Sequence, residues 1–132
     1  KKSAEAVKDD GRIFIYTRLR SQNARSVWGE CFPSFNEMET RLYERDEMEA
    51  RIQSVGLLKL ETTKTFRFNR CASLEQLVEK VHSRHYSTFS LYEEDRLDKA
   101  LNTFQENIRK RFPDTRRVAW TDENILLVLR PK

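Results

Sequence analysis

One long segment between two apolar stretches, residues 18–34, combines hydrogen-bond donors with aromatic rings. These side chains are Arg18, Arg20, Gln22, Asn23, Arg25, Trp28 and Phe32, with Phe35 directly after them. Guanidinium and amide groups bind acidic groups through charge-assisted hydrogen bonds, and aromatic rings stack on planar groups. Because a loop of this length is more often functional than idle, the segment predicts contacts with an acidic or planar substrate. The alternative is that its aromatic rings only anchor the loop to the core.

A second polar segment, Arg84-His85-Tyr86-Ser87-Thr88, lies between two stretches with helical periodicity. His82 and His85 have a spacing that metal sites use, but no acidic or thiol side chain completes a ligand set. We therefore expect no metal there, and a surface or packed role for both histidines. The turn either closes over a bound substrate or caps the flanking helices, and both interpretations stay open.

Three patterns predict the strands that would position these segments. Residues 12–18 and 125–129 contain continuous apolar runs, which are typical of strands covered on both faces, and we expect the two to lie side by side. Residues 57–70 alternate apolar and polar side chains, as in a strand with one solvated face. Turns are predicted at Asp9-Asp10-Gly11 and at residues 121–124. The first strand is expected inside a sheet rather than at its edge.

Capping signals and apolar spacing predict four or five helices, of which four have clear bounds. Ser34 with Glu37 and Ser73 with Gln76 have the capping-box spacing that starts a helix, and Asp46 starts another that stops at Gly56. The longest runs from about residue 91 to residue 112, with an acidic start and a basic end, and Pro113 ends it.

Length and composition limit the class of protein. The 132 residues suffice for one modest core, and 35% charged residues indicate a heavily ionised surface. No apolar run reaches the roughly 20 residues of a membrane helix, and residues 1–7 lack signal-peptide character. We therefore expect one unit over 1–132. We expect it in the cytoplasm, without a membrane partner and with Cys31 and Cys71 as reduced thiols.

The net charge of +4 leaves an anionic partner open. The densest basic cluster is Arg109-Lys110-Arg111 followed by Arg116-Arg117. Positive charge in the last turn of a helix complements the helix dipole, and the same groups could contact nucleic acid. One alternative for the whole chain is therefore a small basic α+β module that binds nucleic acid or another polyanion.

The predicted sheet is incomplete, because three strands are fewer than a typical sheet contains. Either the sheet continues in a larger α/β domain, or it continues across an oligomer interface. In the second case the chain is a homodimeric scaffold that pairs strand 12–18 with a second copy.

Three segments resemble the C-terminal half of class I S-adenosylmethionine-dependent methyltransferases. Residues 10–17 resemble the family's turn and fifth strand, residues 55–58 the turn before its sixth strand, and residues 120–128 its seventh strand. That sheet ends with a parallel strand and an antiparallel strand inserted beside it. The resemblance covers nearly the whole chain and implies the distal half of a Rossmann-like α/β domain. As an isolated fragment, this would be an α+β unit with a three-stranded mixed sheet.

The resemblance also indicates where substrate would bind, because residues 22–29 and 84–88 look like the family's substrate-side loops. We expect substrate contacts at Arg18, Gln22, Asn23, Trp28, Arg84, His85 and Tyr86. The complete protein would use S-adenosylmethionine and a small-molecule or macromolecular methyl acceptor. The family's glycine-rich cofactor loop has no counterpart among the three glycines at 11, 29 and 56, and its ribose-binding acidic residue has none either. This chain alone is therefore expected to bind no cofactor and to be inactive, and no catalytic residue is assigned.

Overall fold

The computed structural model describes residues 11–132, so the turn predicted at Asp9-Asp10-Gly11 lies outside the described residues except for Gly11. These residues adopt an α+β fold. Its strands are β1 (Ile13–Thr17), β2 (Leu58–Ala72) and β3 (Val118–Pro131). They form one described sheet in the order β1-β3-β2.

Six α-helices and one 3₁₀ helix lie within residues 11–132. They are α1 (Arg20–Ala24), α2 (Val27–Cys31), α3 (Phe35–Met38), α4 (Arg45–Val55), α5 (Leu74–His82), the 3₁₀ helix Ser87–Leu91 and α6 (Glu94–Arg111). The expectation of a loop over residues 18–34 is wrong, because α1 and α2 occupy much of it. Ser26 starts α2 by accepting a hydrogen bond from the Gly29 N–H at 3.1 Å, which is a local N-cap signal.

The two apolar runs of the sequence do lie side by side, as predicted. β1 and β3 pair in antiparallel register, with Ile13 opposite Leu129 and Thr17 opposite Ile125. β3 also runs antiparallel to β2, since Glu123 lies near Arg67 while the Lys132 N–H donates to the Leu57 carbonyl. The prediction of a mixed sheet is wrong. β1 and β2 share a direction, but β3 lies between them, so every neighbouring pair is antiparallel.

β1 is an edge strand within the described sheet, which corrects the expectation of an interior strand covered on both faces. Ile13 and Ile15 pack beside Leu58 and Leu129 on one face. On the other face Phe14 is 65% exposed and Tyr16 is 53% exposed. A continuous apolar run indicates that a strand has two faces to bury, but it does not say what covers them.

β3 passes through residues 121–124, where the sequence predicts a turn. The polar side chains there have partners across the strands, so the backbone stays extended. Asp122 is buried and accepts hydrogen bonds from Trp120 Nε1 at 2.9 Å and from Arg70 Nε at 3.3 Å. Thr121 donates to Asn69 on β2.

One of the predicted starts of the three shorter helices agrees with the structure, and two differ from it. Ser73 and Gln76 make both hydrogen bonds of a capping box, which confirms that prediction. Ser34 has a φ of 61° and makes no capping hydrogen bond, so the first predicted box is wrong. α4 begins after Glu44 rather than at Asp46.

The ends of the other helices lie close to their predicted positions. α4 ends before Gly56, whose φ is 76°, and α6 ends before Pro113. α6 starts at Glu94 rather than near residue 91, because residues 87–91 form the 3₁₀ helix. None of the helices described in residues 11–132 combines the length and the apolar character needed to cross a bilayer.

The described residues divide into two compact units. The first unit comprises residues 11–22, 42–67 and 123–132, and the second comprises residues 23–41 and 68–122. A small core in the first unit joins Leu58 and Leu129 with four partly buried residues, Ile13, Ile15, Ile52 and Leu60. The second unit has a larger core built from α2, α3, α5, the 3₁₀ helix, α6 and the start of β3.

Candidate functional site

An aromatic cluster in the second unit has Trp28 at its centre. The Trp28 ring is 1% exposed and stacks on Phe104 with ring centroids 5.0 Å apart. Phe89 meets it edge-on at 5.3 Å. The Trp28 Nε1–H has no hydrogen-bond partner among the described residues. These contacts favour the anchoring interpretation of the aromatic rings, and a ligand would reach Trp28 only if the cluster opened.

Three further predicted residues lie against this cluster. Tyr86 is half-buried and meets Trp28 edge-on at 6.0 Å, while the exposed His85 meets Tyr86 at 4.8 Å. Arg84 has a φ of 52°, and its Nη1 donates to the Phe89 carbonyl at 3.2 Å. The structure therefore brings Trp28, Arg84, His85 and Tyr86 together, with Arg84 and His85 on the surface.

Asn23 lies at the corner between α1 and α2, where its polar groups hold neighbouring residues in place. Its carbonyl accepts hydrogen bonds from the Ser26 hydroxyl at 2.7 Å and the Ser26 N–H at 3.2 Å. Its side-chain amide donates to Asn36 Oδ1 at 3.4 Å, and the residue is buried.

Arg18 and Gln22 belong to the first unit, whereas the other five predicted residues belong to the second. Arg18 Nη2 donates to Asn124 Oδ1 at 3.2 Å, which links β1 to β3. Gln22 is buried, and its Oε1 accepts the Leu19 N–H at 2.9 Å at the start of α1. The Gln22 amide thus supports the backbone at this helix start.

Sequence reasoning missed a polar clamp formed by Glu39, Arg41, Ser87 and Thr88. Glu39 accepts hydrogen bonds from Arg41 Nε at 2.8 Å, Arg41 Nη2 at 2.6 Å and Thr88 Oγ1 at 2.7 Å. Arg41 Nη2 also donates to the Ser87 hydroxyl at 2.9 Å. The clamp ties the segment after α3 to the start of the 3₁₀ helix, which favours a held turn over a mobile lid.

The clamp keeps Glu39 ionised although the residue is only 6% exposed. The Arg41 hydrogen bonds lower the pKa of the Glu39 carboxyl to about 2, with help from Thr88 and against the effect of burial. Only the short Glu39-x-Arg41 spacing was visible in the sequence. Thr88 lies 49 residues away, and no local pattern links it to Glu39.

Both cysteines are free thiols, with Cys31 buried and Cys71 exposed. Burial raises the pKa of the Cys31 thiol, and the nearby Arg111 opposes that rise. Within residues 11–132, no three His, Cys, Asp or Glu side chains converge into a group that could hold a metal ion.

The basic cluster at the end of α6 is partly neutralised by ion pairs. Arg111 Nη1 lies 2.6 Å from Glu30 Oε2, and Arg116 Nε lies 3.1 Å from Asp114 Oδ1. These pairs weaken the case for a continuous polyanion-binding surface. No protein-family model matches this chain, and no curated protein matches it either.

Proposed function

We propose that this chain forms the distal, substrate-side portion of an S-adenosylmethionine-dependent methyltransferase, located in the cytoplasm. The observation that supports this most directly is the position of β3. The resemblance equates β1, β2 and β3 with the family's fifth, sixth and seventh strands, and it expects an antiparallel strand inserted at the end of the sheet. β3 lies antiparallel beside β1 and is the middle strand of the three described here.

The free edge of β1 gives a second argument. In a methyltransferase the sheet would continue from this edge into the strands of the cofactor-binding portion. No described strand pairs with the outer edge of β1, and Phe14 and Tyr16 are each more than half exposed. Val128 and Leu126 lie opposite them in the register and extend the same apolar face. Such a face is typical of an interaction surface.

Gly29 and Gly56 do not fit a cofactor-binding loop. A Cβ at Gly29 would lie 2.2 Å from the Asn23 carbonyl oxygen, so that glycine permits close packing of α2. Gly56 ends α4 with a φ of 76°. Neither opens a turn between a strand and a helix, so we assign the cofactor to the portion of the enzyme that would adjoin β1.

Bound S-adenosylmethionine would supply the methyl group, and this chain would align the acceptor and exclude water. Arg84 and His85 are the exposed members of the predicted site, and the half-buried Tyr86 joins them to the aromatic cluster. The clamp through Glu39 and Thr88 would hold that surface in one conformation. An acceptor with an acidic or planar group suits these side chains.

The test compares cofactor binding by the full product of the gene with binding by this 132-residue chain. Calorimetric titration with S-adenosylmethionine should show binding by the full product and no specific heat with the chain alone. Phe14→Lys in the full product should weaken binding at least fivefold, because a buried lysine would disturb the junction at β1. Val55→Lys, at an exposed apolar position on α4, is the matched control and should change little.

Two results would contradict the proposal. Micromolar binding by the chain alone would show that it holds a cofactor site of its own, and no binding by the full product would remove the enzyme assignment. A discrete dimer of the chain that stays intact on dilution would instead favour the homodimeric scaffold.

A further inference from the structure

A cavity of about 390 Å³ lies in the second unit, between the start of α5 and the end of α6. Its lining includes five hydrogen-bond donors: Ser73, Gln105, Arg109, Thr115 and Arg116. A volume in this range accommodates a small organic ligand. The sequence marked Arg109 and Arg116 only as members of a basic cluster, whereas the fold brings both to one cavity.

Most of these donors have side-chain N–H or O–H groups without a partner among the described residues. Within residues 11–132, the Arg109 guanidinium makes no hydrogen bond or ion pair, and the Gln105 amide and Thr115 hydroxyl make none either. The Ser73 oxygen accepts the Gln76 N–H, which leaves its own O–H free to donate. Such a set of donors matches an oxyanion, because guanidinium groups bind phosphate oxygens in a forked geometry.

Arg116 is already oriented by a neighbour. Asp114 accepts hydrogen bonds from its Nε at 3.1 Å and from its Nη2 at 3.4 Å, and the Arg116 backbone N–H donates to the same carboxylate at 3.0 Å. The bidentate contact uses one edge of the guanidinium. Nη1 has no partner among the described residues and can donate to a ligand.

The lining also has two apolar residues, which suit the non-ionic portion of a ligand. Leu74 and Val78 lie four residues apart on α5, so their side chains share one face of the helix. Glu75 also lines the cavity, and its negative charge would repel an anion. Asp114 balances the charge of Arg116 and Glu75 is a second carboxylate, so attraction of an anion depends mainly on Arg109, which is unpaired within residues 11–132.

We propose that this cavity binds a small phosphate monoester. Its phosphate would contact Arg109, Arg116 and the hydroxyls of Ser73 and Thr115, and its less polar body would lie on Leu74 and Val78. A nucleic acid fits less well, because a phosphate backbone needs a continuous row of cations and Arg111 is paired with Glu30 instead. The site lies wholly in the second unit and does not depend on the methyltransferase proposal.

The experiment titrates the 132-residue chain with phenyl phosphate at low salt and follows binding by calorimetry and by amide NMR shifts. Shift changes should concentrate at residues 73–78 and 105–116. Phenol should bind at least tenfold more weakly than phenyl phosphate, because it lacks the anion. Arg109→Gln should weaken binding by about fivefold or more, and Glu75→Gln should strengthen it by about twofold to fivefold.

Arg117→Gln is the matched control, since Arg117 is exposed, next to Arg116 in the chain and outside the cavity lining. It should change the affinity less than twofold. An equal loss in Arg109→Gln and Arg117→Gln would show general charge attraction and overturn the proposal. Tighter binding of single-stranded RNA, weakened equally by both variants, would overturn it in favour of a polyanion surface. All variants change exposed side chains, and unaltered thermal unfolding would show that they fold.

Discussion

The carboxylate of Glu39 is held inside the second unit by hydrogen bonds from Arg41 and Thr88. A buried charge is stable only when it is paired and its oxygens are hydrogen-bonded, and both conditions are met here. The clamp therefore joins the segment after α3 to Ser87 and Thr88, which directly follow Arg84, His85 and Tyr86. If the clamp is lost, we expect the 3₁₀ helix to loosen before the aromatic core does.

Glu39→Gln should lower the free energy of unfolding by about 1.5–3 kcal/mol, because Arg41 and Thr88 lose a charged acceptor. Urea unfolding followed by tryptophan fluorescence measures this change. Glu106→Gln, at an exposed position on α6, is the control and should cost less than about 0.5 kcal/mol. Equal effects of the two variants would show that the clamp contributes nothing to stability.

The same carboxylate predicts a pH dependence with a definite sign. The folded pKa of Glu39 is about 2, below its ordinary value of 4.5, so the clamp stabilises the fold fully above pH 4.5. That stabilisation decreases as the pH falls and is lost as the pH passes through about 2. Glu39→Gln should therefore lose less stability than the unaltered chain between pH 5 and pH 2. Parallel curves for the two proteins would contradict the assignment.

The sequence predicted where polar and aromatic residues cluster along the chain, but it did not predict which of these side chains a ligand could reach. The polar neighbours of Trp28 and the resemblance of residues 22–29 to a substrate-side loop predict a substrate contact, yet Phe89 and Phe104 cover its ring. Those residues lie more than 60 positions further along the chain. No local signal separates a ring that anchors a loop from one that contacts a ligand.

Among the helices, Gly29 and Gly56 are required for different reasons. Gly29 lets α2 approach the end of α1, where an added Cβ would also lie 2.6 Å from the Ala24 carbonyl oxygen. Gly56 ends α4 in the left-handed region, with nothing within 4 Å of an added Cβ. The first glycine is required by packing and the second by backbone conformation.

Gly29→Ala should therefore lower the free energy of unfolding by more than about 2 kcal/mol, because backbone atoms must move to admit the methyl group. Gly56→Ala should cost about 1–2 kcal/mol, from the left-handed conformation alone. Gly56→Asn should recover part of that loss, whereas Gly29→Asn should not. Chemical unfolding of the four variants measures these differences. A smaller cost for Gly29→Ala than for Gly56→Ala would contradict the packing argument.

Elements with strong local signals were predictable. The Ser73–Gln76 capping box, the long α6 and the two apolar strands each have a signal within a few residues. α1, α2 and α3 are four or five residues long, and such helices gain little stability from their own sequence. Their formation depends on side chains such as Trp28 and Phe35 that pack elsewhere in the second unit.

For the whole molecule, the free edge of β1 predicts self-association of the isolated chain. Within residues 11–132 no strand pairs with the outer edge of β1, and a strand with exposed Phe14 and Tyr16 and no charged side chain of its own can pair with further chains. Light scattering should show an average mass that rises with protein concentration. Phe14→Lys with Tyr16→Lys should reduce this association, whereas Leu91→Lys, at an exposed apolar position of the second unit, should not. A monomer at all concentrations would contradict the prediction.

The sequence alone determined the elements with strong local signals, namely α5, α6 and the apolar strands, because periodicity, caps and apolar runs act over a few residues. The two apolar runs also predicted that the first and last strands lie side by side. Only the tertiary structure decided which groups meet across long separations: Glu39 with Thr88, Trp28 with Phe104, and Arg109 with Arg116 in one cavity. The proximity of these residues depends on how helices and strands pack, and packing arises from many weak contacts that no short pattern encodes. For the same reason, the exposure of one face of β1 could be read only from the fold.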